Sequence, residues 1–254
     1  MNRIDKLFEE KRNGVISVYF TAGYPQLNDT SAIIENLEKA GVDMLEIGIP
    51  FSDPLADGPI IQHSSKLALK NGMSLKLLFE QLTGIREKVK IPLLLMSYLN
   101  PVMQYGFNEF CQHAASVGID GLVLPDLPPE IYKAECKEVM DKNNLKNILL
   151  VSPTTTENRL KSILNQANGF VYMVSSNSTT GSERSATDNL QFVSRIRMLN
   201  KKIPVMVGFG INSREKIDMV NQYANGSIIG SYFIQHLNGE VKNSIKTFMN
   251  QIKS

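Results

Sequence analysis

Carboxylate side chains cluster around one apolar segment of this sequence. Glu46 stands inside the run LEIGIP, and Asp53 and Asp57 follow it in the loop SDPLADGP. A carboxylate in a buried strand is costly unless a function or a partner compensates for it. Because burial disfavours the ionised form, we expect the pKa of Glu46 to rise toward neutrality, which suits a general acid and base.

Side-chain alternation places Glu46 on the inner face of its strand. Leu45, Ile47 and Ile49 form one apolar face, and Glu46 lies on the opposite one. If the apolar face packs against helices, Glu46 points into the interior. No other predicted strand carries an Arg or Lys in its middle, so the pattern favours catalysis over a buried ion pair.

The two aspartates of the following loop differ in what their surroundings predict. Turn-forming aspartates beside proline are common, and for either one alone a turn is the simpler interpretation. Asp57 lies in DGP, which turns the chain back and can present its carboxylate opposite Glu46. Asp53 has no such argument, and it can equally cap the loop or face a partner protein.

Eight short apolar strands alternate with longer helical patterns. Eight βα units in 254 residues predict a single α/β domain over residues 1–254, a (β/α)8 (TIM) barrel preceded by an N-terminal helix. A doubly wound open sheet is the competing architecture, although it more often has five or six strands. The predicted strands are residues 15–21, 43–49, 92–98, 121–126, 147–153, 170–175, 204–210 and 226–231, and several helices are predicted to close with a glycine, at Gly41, Gly118, Gly169 and Gly226.

The end of the chain has the features of an anion site. The sequence GFG (208–210) follows the seventh predicted strand, and Gly230 and Ser231 follow the eighth. Glycines let backbone N–H groups approach a ligand, and barrels most often bind phosphate after these two strands. A long polar loop after the sixth strand (175–189) contains Thr180 and Gly181, and we predict that it is a mobile lid over this site rather than an ordinary surface loop.

Composition argues against several other classes of protein. Lys and Arg number 27 against 25 Asp and Glu, with no basic block, which disfavours nucleic acid or membrane as partner and is typical of a cytoplasmic protein. The three histidines lack the spacing of metal ligands, which disfavours a catalytic metal site. The lysines near strands lie before the strands, whereas a Schiff-base lysine would be needed at their other ends. No GxGxxG motif follows a strand, so a dinucleotide-binding fold is not indicated. Cys111 and Cys136 are expected to be small apolar residues. Carboxylate acid–base chemistry on a phosphorylated small molecule remains.

The stretch LEIGIPFSDPLADGP closely resembles the signature of the tryptophan synthase alpha chain family. The resemblance extends over the whole chain, through YFTAGYP, MSYLNPV, PDLPPE, VYMVS, TTG, GFGI and GSYF. It implies a (β/α)8 barrel and the retro-aldol cleavage of indole-3-glycerol phosphate to indole and glyceraldehyde 3-phosphate. In that reaction Glu46 would move a proton between the glycerol C3′ hydroxyl and indole C3, and Asp57 would accept a hydrogen bond from the indole N–H.

The resemblance also assigns residues around the substrate. Tyr172 would lie near the catalytic glutamate, Tyr19 and Tyr98 would flank the indole, and Thr180 would close the lid toward Asp57. Phosphate would lie against a set of backbone groups and side chains, namely Gly181, Phe209, Gly210, Gly230 and Ser231. In the lid, SSNSTTG departs from the usual family pattern, which affects closure but not Glu46 or Asp57.

The family resemblance implies a partner as well. Asp53 matches a residue directed toward the beta subunit, which carries pyridoxal phosphate, so no cofactor is expected in this chain. The expected assembly is an alpha2beta2 tetramer. A stand-alone lyase, a non-catalytic activating subunit and another phosphate-binding barrel, such as a sugar-phosphate isomerase or epimerase, are the alternatives.

Overall fold

Eight parallel strands close into a barrel in the computed structural model of the chain, which describes residues 1–54, 57–174 and 183–253. Each strand pairs with the next along the chain, and the last pairs with the first, so the barrel prediction is confirmed and the open sheet is wrong. The strands are β1 Val15–Thr21, β2 Met44–Gly48, β3 Leu93–Met96, β4 Gly121–Val123, β5 Lys146–Val151, β6 Val171–Met173, β7 Val205–Val207 and β8 Gly226–Ile229.

Helices surround this barrel and follow each strand. They are α1 Arg3–Glu10, α2 Asp29–Lys39, α3 Pro59–Lys70, α4 Leu75–Leu82, α5 Leu99–Tyr105, α6 Phe107–Ser116, α7 Pro129–Ile131, α8 Lys137–Lys142, α9 Glu157–Gln166, α10 Glu183–Leu199, α11 Arg214–Asn221, α12 Ser231–His236 and α13 Val241–Lys253. A 3-10 turn covers Ile85–Glu87, and a π-helical segment, Tyr132–Cys136, joins α7 to α8. In the described part of the chain, no helix is long and apolar enough to cross a bilayer.

The hydrophobic core has two layers, and strand alternation sorts side chains between them. Leu45 and Ile47 of β2 belong to the layer between barrel and helices, whereas Met44 belongs to the layer inside the barrel. Both sets are almost completely buried. Each large apolar side chain buried in this way contributes about 1.5–3 kcal/mol. Glu46 therefore lies on the interior face, as its position in the alternation predicts.

A repeated sequence at two helix–strand junctions has a structural explanation. AGVDMLEIG and VGIDGLVLPD each place an aspartate just before a strand. Asp43 accepts a hydrogen bond from the backbone N–H of Ile16 at 2.8 Å, and Asp120 accepts one from Leu93 N–H at 2.9 Å. Each aspartate thus ties the start of its own strand to the start of the neighbouring strand.

The N-terminal helix covers the end of the barrel opposite the loops that follow the strands. Ile4 and Phe8 of α1 pack into the interior layer, and Asp5 forms an ion pair with Lys146 at 2.8 Å. Lys146 is the first residue of β5. This lysine therefore lies at the end of the barrel away from the loops that follow the strands, as expected of a lysine at the start of a strand.

Two of the four glycine predictions are wrong. Gly169 lies two residues beyond Ala167, where α9 ends in an extended conformation, so it does not hold the position directly after the helix. Gly41 follows α2 with a φ of +86°, as a helix-terminating glycine does. Gly226 instead begins β8, where a Cβ would stand 2.1 Å from the carbonyl oxygen of Val15 on the neighbouring strand. This glycine is required by close backbone approach rather than by helix termination, and sequence alone does not distinguish the two.

The two cysteines are apolar core residues, as expected. Cys111 on α6 and Cys136 in the π-helical segment are buried and unpaired with each other. Burial raises the pKa of the Cys111 thiol to about 12, so this thiol stays protonated.

Candidate active site

Glu46 is completely buried in the barrel interior. Its Cα pairs in register with Tyr19 on β1 and with Leu94 on β3. Burial raises the pKa of the Glu46 carboxyl to about 8, and a hydrogen bond from Ser17 opposes this rise. The carboxyl is consequently protonated for the most part at neutral pH and able to donate a proton.

Asp57 lies at the turn that leads into α3. Its N–H donates to the carbonyl of Pro54 at 3.1 Å, and its own carbonyl accepts from Gln62 Nε2 at 2.9 Å. The Tyr98 side chain hydrogen-bonds to its carboxylate. Partial burial raises the pKa of Asp57 to about 6, and the bond from Tyr98 opposes this rise. Asp57 is thus charged at neutral pH, whereas Glu46 is not.

Tyr19 and Tyr172 connect the two carboxylates. Both tyrosines are almost fully buried, and the pKa of each hydroxyl is raised first by burial and further by the charges of Glu46 and Asp57. The two acids therefore act on the same pair of side chains. The structure brings Glu46, Asp57, Tyr19 and Tyr172 together at one end of the barrel.

Two glycines make room for these tyrosines. A Cβ at Gly48 would stand 2.1 Å from the hydroxyl oxygen of Tyr19, and a Cβ at Gly208 would stand 2.2 Å from a ring carbon of Tyr172. Both glycines occupy inward positions at the C-terminal ends of their strands. Any larger residue at either place would displace a tyrosine ring.

A cavity of about 330 Å³ opens beside the tyrosine pair, at the C-terminal ends of the strands. Tyr19 and Tyr172 form part of its wall, and Phe209, Gly210, Gly230 and Ser231, the described residues of the predicted phosphate set, all line it. Glu46 and Asp57 are not among its lining residues. Both acids act on Tyr19 and Tyr172, which do line the cavity.

A positive charge lies close to the glycine loop that follows β7. Lys216 on α11 donates from Nζ to the carbonyl oxygen of Gly210 at 2.9 Å. Gly210 has a φ of +60°, a left-handed conformation that favours glycine. An ammonium group beside this loop favours an anionic ligand there.

Other predicted site residues lie apart from the cavity. Tyr98 does not line it; its ring packs against Phe51, with centroids 5.3 Å apart, and its hydroxyl reaches Asp57. Asp53 is exposed and accepts a hydrogen bond from Ser52 Oγ. Thr180 and Gly181 fall outside the described residues, as does the predicted lid segment before residue 183.

Sequence reasoning did not single out several residues of the cavity wall. Met96 and Ile228 occupy inward strand positions, so the alternation that located Glu46 also points to them. Further lining comes from helices and loops whose packing no local pattern reveals, namely Ile60, Ile61, Ile211, Asn212, Tyr232 and Gln235. Within the described ranges, no group of three or more His, Cys, Asp or Glu could hold a metal ion.

The fold and the cavity together place the chain among the (β/α)8-barrel enzymes. The family model described as tryptophan synthase alpha chain matches residues 4–253. The tryptophan synthase alpha chain of Flavobacterium johnsoniae is 52% identical over 256 residues, covering 100% of both chains. The chain belongs to the tryptophan synthase alpha chain family.

Solved structures agree with this assignment. The crystal structure of tryptophan synthase alpha chain from Legionella pneumophila superposes with a TM-score of 0.88 at 34% identity, covering 100% of this chain and 96% of that one. A chain of the aminoacrylate-bound tryptophan synthase from Mycobacterium tuberculosis gives 0.89 at 28% identity, covering 99% and 98%. The activity is the lyase half-reaction of tryptophan biosynthesis, cleavage of indole-3-glycerol phosphate to indole and glyceraldehyde 3-phosphate.

Proposed function

We propose that Glu46 is the proton donor in the cleavage and that Asp57 stabilises the positive charge that develops on the indole. The supporting observation is that the two carboxyl groups act on the same tyrosine pair yet have pKa values of about 8 and about 6. At neutral pH one is therefore a proton donor and the other an anion. Such separated roles are typical of enzymes that use two carboxylates.

The reaction then proceeds in two proton transfers at Glu46. The protonated carboxyl gives its proton to indole C3, and the resulting indolenine carries a positive charge at its nitrogen, which the Asp57 carboxylate stabilises. The Glu46 carboxylate next accepts the proton of the C3′ hydroxyl while the C3–C3′ bond breaks. The bond electrons restore the indole ring, an aldehyde forms at C3′, and Glu46 is protonated again.

Tyr19 and Tyr172 line the cavity and are close enough to Glu46 for its charge to raise their pKa values. We propose that the indole reaches the Glu46 carboxyl past these two side chains, with a change of rotamer at one of them. We assign Tyr172 and Tyr19 to contacts with the indole, and Tyr98 to holding Asp57. The proposed role of Thr180 as a lid residue rests on the family resemblance alone.

The phosphate of the substrate is proposed to bind at the part of the cavity wall that follows β7 and β8. Phe209, Gly210, Gly230 and Ser231 belong to that part of the wall, and the Lys216 ammonium adds a positive charge. Backbone N–H groups in glycine loops approach phosphate oxygens closely. Gly181 completes the proposed set on the resemblance alone.

We further propose a beta subunit as partner, in an alpha2beta2 tetramer in which the beta subunit holds pyridoxal phosphate and uses the indole. Asp53 is exposed on the loop after β2, next to a groove of about 450 Å³ with Phe51, Leu75 and Pro101 in its wall. An apolar groove beside an exposed charge is suited to a protein contact.

Two broader expectations rest on the family assignment. The matched range of 4–253 supports one domain over residues 1–254. The reaction belongs to amino-acid biosynthesis, and on that ground we place the chain in the cytoplasm.

Indole release by the purified chain, alone and with a cognate beta subunit, tests this function. We expect slow release from indole-3-glycerol phosphate by the chain alone and a steep rise when the beta subunit is added. Rapid release that the beta subunit does not change would identify a stand-alone lyase. No release in either mixture, with activation of the beta subunit retained, would identify a non-catalytic subunit.

A further inference from the structure

Ser17 is a polar residue inside an otherwise apolar part of the barrel. It lies on the inward face of β1, two residues before Tyr19, and is completely buried. The interior layer around it is formed by apolar side chains, among them Val15, Met44, Leu94, Val123, Ile148, Met206 and Ile228. Burying a hydroxyl among such neighbours is unfavourable unless it is hydrogen-bonded.

The partner of this hydroxyl is the candidate catalytic acid. Ser17 Oγ donates to Glu46 Oε1 at 3.4 Å. The other carboxyl oxygen, Glu46 Oε2, is buried and has no hydrogen-bond partner among the described residues. The two carboxyl oxygens of Glu46 therefore differ in their hydrogen bonding before any substrate is bound.

We propose that Ser17 is a positioning residue for Glu46, holding Oε1 so that Oε2 is the oxygen that exchanges protons with the substrate. The inference rests on the catalytic role proposed for Glu46. The 3.4 Å separation is long for this type of bond, and such bonds in empty sites commonly shorten when substrate binds.

The hydrogen bond has a predictable electrostatic effect. A donor to the ionised form favours that form, so Ser17 lowers the pKa of Glu46 against the larger opposite effect of burial. The other titratable groups that act on this region are Tyr19 from β1, Tyr172 from β6 and Asp57 from the loop after β2. Both tyrosine pKa values are raised, so these hydroxyls stay neutral across the range in which Glu46 titrates.

The pH dependence of kcat/KM tests the proposal. For the wild type we expect a rise near pH 6, as Asp57 ionises, and a fall near pH 8, as Glu46 loses its proton. In Ser17→Ala the alkaline limb should move upward by about one pH unit, because a donor to the carboxylate is lost. The acidic limb should not move.

Two further variants separate hydrogen bonding from packing. Ser17→Thr keeps the hydroxyl and should keep the alkaline limb of the wild type. The matched control is Ser227→Ala on β8, because Ser227 is equally buried, its hydroxyl has no partner among the described residues, and it faces the helices beside an inward Ile228. This control should leave both limbs unchanged.

A titration without substrate keeps this inference separate from the role of Glu46. In chains labelled with ¹³C at glutamate carboxyls, the Glu46 signal is identified by its absence in Glu46→Gln. Its midpoint should move upward in Ser17→Ala and not in Ser227→Ala. An unmoved midpoint, or an equal shift in both variants, overturns the proposal. If the midpoint moves while Glu46→Gln retains activity, Ser17 still holds Glu46, and the catalytic assignment is what fails.

Discussion

Replacing Glu46 by glutamine is expected to lower kcat for indole formation by about 10²–10⁴-fold. Glutamine has nearly the same shape but can neither donate a proton to indole C3 nor accept one from the C3′ hydroxyl. Glutamine keeps the size of the side chain and its ability to hydrogen-bond the C3′ hydroxyl, so substrate affinity should change little. Steady-state indole release gives kcat, and equilibrium binding of the substrate to the variant gives Kd.

The matched control for Glu46→Gln is the same substitution at a glutamate far from the site. Glu9→Gln makes the same substitution on α1, where Glu9 is exposed at the opposite end of the barrel. Its kcat should equal that of the wild type. A Glu46→Gln variant with wild-type kcat would remove this residue from the mechanism, whereas lost binding together with lost turnover would assign it to substrate binding.

The same Glu46→Gln substitution is expected to stabilise the protein at alkaline pH. The pKa of Glu46 is about 8 in the folded chain, against an ordinary value of 4.5. Below pH 4.5 both folded and unfolded states hold the proton. Between the two values the unfolded state ionises and the folded state does not, so wild-type stability falls as pH rises, by about 4–5 kcal/mol in total. Glutamine removes this dependence.

Denaturant unfolding at pH 5 and pH 9 measures the effect. The free energy of unfolding of Glu46→Gln, relative to wild type, should increase by several kcal/mol between these pH values, whatever constant offset the amide introduces. Glu9→Gln should show no comparable increase. An equal difference at both pH values would mean that Glu46 is already ionised in the folded protein, and the proton-donor role would then be wrong.

These two effects have one physical cause. Catalysis requires a carboxyl that holds its proton near neutral pH, and desolvation inside the barrel supplies that property at the cost of stability. The protein keeps Glu46 where an apolar residue would make the fold more stable. Loss of activity and gain of stability in one variant would together identify a functional residue.

The barrel and Glu46 could be predicted from the sequence because both depend on local periodicity. Alternation along LEIGI places Glu46 opposite an apolar face, and eight such strands define the architecture. Asp57 was also predicted near Glu46, from the turn that DGP imposes, and the structure shows both acids acting on Tyr19 and Tyr172.

Features that depend on contacts between distant segments could not be predicted in this way. Gly226 is required by the backbone of β1, which no pattern around residue 226 reveals. Ile60 and Ile61 reach the cavity because α3 packs over the barrel mouth. Ser17 gave a signal that could have been used, since alternation places it on the same face as Tyr19 and near the glutamate.

The most direct test of the account is whether the chain exchanges the C3 proton of indole with solvent. In D2O, the Glu46 carboxyl should deliver deuterium to one face of indole C3, and the resulting indolenine should lose the original proton from the opposite face to water, so the C3–H signal in the NMR spectrum should disappear faster with wild-type protein than in buffer. Glu46→Gln should not accelerate this exchange. Equal acceleration by wild type and Glu46→Gln would contradict proton transfer by Glu46.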